Sequence, residues 1–330
     1  MFVLFAATYS TLRPKAEVYS PVPEPTPERK VYVGAWVGGS WESRTKTLDV
    51  GAINNFQDII QKKLAIVNIF SEWTYLENPD LVEDLKELDS EGWVPMISAN
   101  PYFFKECEDT GKNLYKTIAD GGCDEFLLSA AKNLSDYKKP VMLRFAWEMN
   151  LPNMYWSVDK VGSSPTDFIA AWRHFYDIAQ KAADNIIWVL SFNTSHTGTT
   201  PYAELYPGDE YVDWVAIDGY NWGSGHSFGG WASFDGTFRK SYDELTAITK
   251  KPVMISEVNS APNGGDKAEW LKDMLEEQII NNYPEVGALI LFNENKSSGE
   301  SVDWRIEKSE DYINAVRQGL SNTIYARSYP

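Results

Sequence analysis

The sequence has few side chains that bind metals, since its 330 residues include three histidines and two cysteines. His174, His196 and His226 are widely separated along the chain, and the cysteines form no CxxC pair. Zinc sites bring three or four such ligands together. We therefore expect no metal site.

Two alternatives remain open for Cys107 and Cys123, which lie in one loop-and-helix region. They form a disulfide if the protein is exported, or remain two buried thiols. The first residues, MFVLFAATYS, are apolar and small like the tail of a secretory signal, but no basic residue precedes them. We interpret residues 1–30 as a signal remnant, or a disordered start, followed by a Pro-rich linker. A secreted protein is expected, with one domain over residues 31–330.

Positive charge is also scarce, with 30 Lys and Arg against 47 Asp and Glu and a net charge of −17. Such a surface repels nucleic acids and anionic lipids. No segment approaches the roughly 18 consecutive apolar residues that a membrane span needs. We expect a monomer with a neutral partner, and neither nucleic acid nor a membrane.

Aromatic residues, by contrast, are abundant. They make up 14% of the chain and include 13 tryptophans. Large rings combine a broad apolar face with, in Trp and Tyr, one polar group. Such faces suit the apolar faces of sugar rings, so the excess points to a neutral carbohydrate ligand.

Eight apolar runs with helical patterns between most of them predict an α/β fold. The runs are nearly continuous rather than alternating, as in parallel strands covered on both faces. Their number over about 300 residues favours a closed (β/α)8 TIM barrel. An open doubly wound sheet is the alternative, but no GxGxxG follows the first run. The runs are VYVGAWVGG, LAIVNIFSEW, WVPMISANP, VMLRFAWEMN, IIWVLSFNT, WVAIDGY, PVMISEVNS and GALILFNEN.

Two of these runs end in an acidic residue, Glu148 after the fourth strand and Glu257 after the seventh. In a closed barrel these strand ends lie across from each other at the reactive face. Two facing carboxylates in an aromatic-walled cleft are the equipment for glycoside hydrolysis. The strand ends also supply candidate substrate-binding residues, namely Trp36, Trp147, Asn193, His196, Tyr220 and Trp222. Two more candidates, Trp156 and Trp304, lie further along the chain after the fourth and eighth runs.

The segments around both acids resemble glycoside hydrolase family 26. RFAWEMN with Trp156 is similar to the family's acid/base segment, IDGYNWG to its sixth-strand segment and PVMISEVNS to its nucleophile segment. YVGAWVGG and DWRI also match. The family usually has His before the acid/base Glu, where this chain has Trp147. The resemblance implies a retaining endo-β-glycanase, most often a β-1,4-mannanase, with mixed-linkage β-1,3-1,4-glucan and β-xylan as alternative substrates.

Each assignment has a structural alternative. Glu148, the expected general acid and then base, could instead be a structural acid paired with Arg144, and Glu257, the expected nucleophile, could cap a helix. Arg144, also among the candidate substrate-binding residues, is expected to pair with Glu257, against a purely structural salt bridge. Tyr220 is expected to donate to the nucleophile, against packing in the core. Trp156 is expected to stack on sugar, against anchoring a loop.

No cofactor is needed for this chemistry. A non-catalytic carbohydrate-binding barrel would keep the tryptophans without the acid pair. A metal-dependent hydrolase would need His ligands at the strand ends, where only His196 lies. The exact polysaccharide, endo versus exo action and the oligomeric state do not follow from the sequence.

Overall fold

The computed structural model describes residues 29–39, 41–42, 47–101, 107, 113–160, 162–194 and 200–330. The expected signal remnant and nearly all of the linker lie outside these residues, as does His196. In the described part, no helix combines the length and the apolar character that crossing a membrane requires.

Eight parallel strands form the centre of the molecule. Each strand pairs with the next one along the chain, and the last pairs with the first, so the sheet closes. The predicted (β/α)8 barrel is confirmed, and all eight apolar runs are strands. They are β1 Val31–Val37, β2 Ile66–Glu72, β3 Val94–Asn100, β4 Val141–Phe145, β5 Ile186–Asn193, β6 Trp214–Asn221, β7 Val253–Ser260 and β8 Val286–Asn293.

Helices cover the outside of the barrel. They are α1 Val50–Ile60, α2 Asp80–Ser90, α3 Leu114–Ala119, α4 Asp124–Asp136, α5 Pro165–Ala179, α6 Phe234–Ile248, α7 Lys267–Asp273 and α8 Glu310–Leu320. A π-helical segment, Met274–Asn282, continues α7. Short 3-10 segments are Trp73–Glu77, Tyr202–Glu204, Asp209–Tyr211 and Ile306–Lys308. Two hairpins, Trp41–Glu42 with Thr47–Leu48 and Asn295–Lys296 with Val302–Asp303, follow β1 and β8, and Tyr325–Ala326 pairs with β1.

Local sequence signals explain where several helices begin. Ser164 and Asp167 form a capping box at the start of α5, with Pro165 at its first position. Ser233 caps α6, which begins earlier than the pattern SYDELTAITK predicts. The early start was missed because Gly236, a poor helix former, lies in the first turn.

The interior of the barrel is packed with apolar side chains below the carboxyl ends of the strands. Strands β2 to β8 each contribute at least one, and all are buried: Ile66, Met96, Met142, Val189, Trp214, Ala216, Met254, Ala288 and Ile290. A second cluster fills the space between the strands and the helices. The interior of the barrel is therefore filled by side chains, and an open cavity can form only at its ends.

The question left open for the cysteines is resolved. Cys107 and Cys123 form a disulfide with a Cα–Cα distance of 4.5 Å. The bond connects Cys107, between β3 and α3, to the residue that precedes α4.

Arg29, just before β1, binds the end of the π-helical segment. Its guanidinium donates hydrogen bonds of 2.8–3.1 Å to the backbone oxygens of Ile279, Ile280, Tyr283 and Val286. The last carbonyls of a helix lack partners within the helix. One side chain thus satisfies the end of this helix and joins it to the start of β8.

We predict that Arg29→Ala lowers the free energy of unfolding by about 2–4 kcal/mol, because it leaves several carbonyl oxygens without a donor. Urea unfolding followed by circular dichroism measures this. Arg317→Ala is the control, since Arg317 donates to a single backbone oxygen, that of Ile59, and should lose about 1 kcal/mol. Equal losses in the two variants would contradict the role assigned to Arg29.

Candidate active site

A cleft of about 870 Å³ opens at the carboxyl ends of the barrel strands. Both predicted catalytic acids, Glu148 and Glu257, line it. Six of the predicted substrate-binding residues line it as well: Trp36, Trp147, Trp156, Asn193, Tyr220 and Trp222.

Glu148 lies on a turn and not, as predicted, at the end of a strand, because β4 stops at Phe145. Ala146 and Glu148 have φ angles of 49° and 54°, in the left-handed region. The turn is nevertheless fastened to the sheet. The amide of Ala146 donates to the Ala99 oxygen, and that of Glu148 to the Ser191 oxygen, both at 2.9 Å. Such backbone conformations are unfavourable for non-glycine residues and concentrate at functional sites.

The Glu148 carboxyl is buried, and its Oε1 accepts a hydrogen bond of 2.6 Å from Asn193 Nδ2. Asn150 positions Asn193 through two hydrogen bonds with its backbone. Burial raises the pKa of Glu148 well above its usual value, and the nearby charges of Glu257 and Asp218 act in the same direction. The amide of Asn193 opposes the rise. The raised pKa favours the protonated form of Glu148, which is the form that a general acid needs.

Glu257 is oriented by a β-bulge. Ile217 pairs with Ile255, but the next pair is Asp218 with Glu257, so Ser256 is an extra residue in β7. The bulge interrupts the alternation of side chains, and both Ser256 and Glu257 interact with the interior group around Asp218. Bulges commonly re-aim a side chain beside an active site.

Both carboxylate oxygens of Glu257 accept hydrogen bonds. Arg144 donates to Oε1, and the Tyr220 hydroxyl donates to Oε2 at 2.5 Å. Burial and the Glu257 charge raise the pKa of Tyr220 well above its usual value, so the phenol keeps its proton. These contacts are the ones expected for both residues, and they match a carboxylate that acts as an acceptor alone.

Arg144 is fully buried beneath the cleft and does not line it. Its inclusion among the substrate-binding residues is therefore corrected. The guanidinium lies 3.4 Å from Asp218, which also accepts hydrogen bonds from Ser191 and Ser256 at 2.7 and 2.5 Å. Burial raises the pKa of Asp218 to about 7 although the charge of Arg144 acts in the opposite direction.

Tryptophans form the wall beside Glu148. Trp147 packs against Phe70 and Trp156, with ring centroids 5.3 and 4.6 Å apart. Trp156 Nε1 donates to the Trp147 oxygen at 2.6 Å, so Trp156 anchors the loop and lines the cleft at once. Trp36 also packs against Phe70, with ring centroids 5.1 Å apart, and its Nε1 donates to Glu294 at 2.7 Å.

Trp304 was expected to contact substrate, and the structure corrects this. It is fully buried, does not line the cleft and packs behind Tyr220 and Trp222, at 4.9 and 5.1 Å between ring centroids. Its carbonyl oxygen accepts hydrogen bonds from Asn259 and Lys267. Trp304 thus supports the aromatic wall from behind.

Several residues of the site were not predicted. Ser191 and Ser256 lie inside apolar strands, where a serine carries no distinctive signal. Asp218 is at a predicted strand end, and its pairing with Arg144 depends on barrel closure. Phe228 reaches the cleft from a loop, and Lys296 and Glu300 reach it from the hairpin after β8, in segments without periodic patterns. Among the described residues, no group of three or more His, Cys, Asp or Glu side chains is placed to hold a metal ion.

The arrangement combines a buried carboxyl with a raised pKa, a second carboxyl whose two oxygens both accept hydrogen bonds, and aromatic walls. This is suited to acid-assisted displacement at a sugar carbon.

Comparison with known proteins agrees with the geometry. The Glycosyl hydrolase family 26 model matches residues 112–264, which include both acids. Endoglucanase H of Acetivibrio thermocellus is 34% identical over 295 residues, 87% of this chain and 30% of the relative. Mannan endo-1,4-beta-mannosidase A and B of Caldalkalibacillus mannanilyticus is 32% identical over 24% of this chain and 16% of the relative. The chain thus spans less than a third of either relative.

A solved structure shares the fold. The catalytic domain of the Bacillus sp. JAMB-750 GH26 endo-beta-1,4-mannanase has a TM-score of 0.63 and 15% identity, covering 90% of this chain and 87% of that one. Together with the two acids in their barrel positions, the model match identifies residues 112–264 as glycoside hydrolase family 26 sequence, and the chain shares the fold of a solved family member.

Proposed function

We propose that the protein is a retaining endo-β-glycanase that hydrolyses a neutral β-linked polysaccharide. The observation that supports this best is the contrast between the two buried acids. Glu148 has a raised pKa and accepts from one neutral amide, whereas Glu257 accepts from a guanidinium and a phenol. Retaining hydrolysis needs one proton donor and one nucleophile in such distinct environments.

In the first step, Glu148 gives its proton to the glycosidic oxygen while a Glu257 oxygen attacks the anomeric carbon. The bond to the leaving sugar breaks and a glycosyl ester forms on Glu257. Glu148, now ionised, removes a proton from water, which attacks the same carbon and releases Glu257. Arg144 and Tyr220 hold Glu257 in place throughout. These steps use only side chains of this chain and water.

We place a β-glucan first as substrate. The relative aligned with most of this chain is named an endoglucanase, and Trp147 stands where the family usually has histidine. Mannan, expected first from family frequency, is the second candidate, favoured by the shorter alignment with a mannosidase.

A panel of mannan, galactomannan, mixed-linkage β-glucan, cellulose derivatives and xylan, with product sizing, tests the function. Internal cleavage gives mixed oligosaccharides early in the reaction. Proton NMR of the first product tests retention, because the new reducing end then appears as the β-anomer. Initial formation of the α-anomer would reject the retaining mechanism, and no cleavage of any β-glycan would reject the function.

The roles of the acids are tested by two variants. We predict that Glu257→Ala abolishes turnover of every substrate. Glu148→Ala should lose polysaccharide activity but retain cleavage of aryl glycosides with good leaving groups, because these need little protonation. Added azide should raise that rate and yield a β-glycosyl azide. Failure of azide and of activated substrates alike would remove the acid/base role from Glu148.

The pH profile tests the environment of Glu148. Since the Asn193 amide favours the ionised form of Glu148, Asn193→Ala should raise the pKa of Glu148. The acid then keeps its proton to higher pH, and the basic limb of the kcat/KM profile moves up by about one pH unit. Asn153→Ala is the control, because Asn153 lines the cleft and its side chain has no hydrogen bond to Glu148 in the structure. A basic limb that moves down would contradict this assignment.

Trp147 is predicted to influence the choice of sugar. Glucose and mannose differ in the orientation of the 2-hydroxyl, and an imidazole offers an acceptor that an indole lacks. Trp147→His should lower the ratio of kcat/KM on glucan to that on mannan by about fivefold or more. Trp36→His is the comparison, because Trp36 lines the cleft at β1, away from the Glu148 turn. An unchanged ratio in a folded Trp147→His protein would place specificity elsewhere.

A further inference from the structure

Phe228 is an exposed aromatic residue inside the cleft. It lies in the loop between β6 and α6, lines the cleft, and leaves 53% of its surface exposed. Of the large hydrophobic side chains in the described ranges, only Tyr155 shares this exposure, at 64%, and Tyr155 does not line the cleft. An exposed apolar ring in a concave site favours a ligand that covers it.

The ring is held in place by its loop. His226 Nε2 donates to the Glu300 backbone oxygen at 2.6 Å, which ties the loop to the hairpin after β8. In this tautomer Nδ1 is an acceptor, and the Phe228 amide donates to it at 3.3 Å. His226 also packs against Phe228, with ring centroids 5.0 Å apart. The exposed face of Phe228 is therefore presented in a defined orientation.

Phe228 continues a row of rings that starts at the nucleophile. Tyr220 donates to Glu257, its ring centroid is 5.6 Å from that of Trp222, and Trp222 is 5.1 Å from Phe228. The row begins beside Glu257, the residue that attacks the anomeric carbon of the glycone sugar in the proposed mechanism. Trp147 and Trp156 lie beside the acid on the other wall.

The backbone next to Phe228 leaves room for a ligand. Gly229 and Gly230 both line the cleft, and a Cβ placed on either one would meet no atom within 4 Å. Across this space, Lys296 and Glu300 also line the cleft, as an ion pair of 3.3 Å. A flat apolar ring with charged groups nearby can bind one face of a sugar and its hydroxyls.

We propose that Phe228 is a stacking subsite for a distal glycosyl residue of a neutral β-linked chain, on the glycone side, and that His226 is its positioning residue. The proposal rests on the proposed function, because it assigns the substrate's direction from the roles of Glu148 and Glu257. It predicts that kcat/KM rises with the length of the substrate once the chain is long enough to reach Phe228.

The test compares kcat/KM over a series of aryl β-oligosaccharides of increasing length, of the sugar that the wild type prefers. For Phe228→Ala, the loss on the longest substrates should exceed the loss on the shortest by about tenfold, mainly through KM. Phe228→Trp should restore the gain with length. Tyr155→Ala is the matched control and should keep the wild-type dependence on length. An equal loss at every length, or the same result from Tyr155→Ala, would overturn the proposal.

His226 gives a second test. His226→Ala should also reduce the rise of kcat/KM with substrate length. The double variant should lose no more of this rise than Phe228→Ala alone, because both substitutions act on one contact. Additive losses would overturn the positioning role.

A binding measurement separates this proposal from the proposed function. Calorimetric titration of Glu257→Gln with long and short β-oligosaccharides, with and without Phe228→Ala, needs no turnover. If Phe228→Ala weakens binding of the long oligosaccharide but not of the short one, the subsite is supported even if no glycan is hydrolysed. Equal binding in both proteins overturns the subsite even if the hydrolase function is established.

Discussion

A guanidinium buried beneath the cleft is the interaction on which the site depends. Arg144 has no exposed surface, and a buried charge is unfavourable unless it is paired. Its partners are Asp218 on β6 and Glu257 on β7, and Arg144 itself is on β4. The ion network therefore joins three strands of the barrel at one point. Removing one carboxylate would leave the cation partly uncompensated. This lowers the stability of the fold more than replacing all of the charged residues with apolar ones would. The bulge at Ser256 follows from this constraint, since it brings Glu257 and the Ser256 hydroxyl to the same group.

The same charges separate the two acids chemically. Both carboxyls are buried, but Arg144 donates to Glu257 and not to Glu148. Burial raises the pKa of Glu148, and the negative charges of Glu257 and Asp218 add to the rise, while the Asn193 amide opposes it. The off-centre position of the cation thus gives the two buried acids different surroundings.

The barrel and its two acids could be predicted from the sequence because the strands are continuous apolar runs, and their order sets which ends face each other. The site predictions that the structure corrects concern features that depend on tertiary packing. Trp304 belongs to DWRI, one of the segments that resemble the family, but tertiary contacts place it behind the aromatic wall. The contact of Arg144 with Glu257 was predicted, but its place among the substrate-binding residues was not correct. How far a strand residue lies below the cleft is set by the packing of the barrel, which the sequence pattern does not show. The bulge at Ser256 has no pattern of its own, because one extra residue in an apolar strand does not change its composition.

Trp147 shows why substrate preference and catalysis are difficult to separate here. Its ring lies 5.5 Å from the Arg144 guanidinium, which also faces Phe70 at 5.6 Å. An indole offers the cation a negative π face, so the wall of the cleft contributes to holding the ion network. An imidazole at this position gives a weaker face and, when protonated, a second positive charge beside Arg144. A chain with histidine here must therefore stabilise its arginine differently. Trp147 thus lines the cleft and also supports the arginine that donates to Glu257.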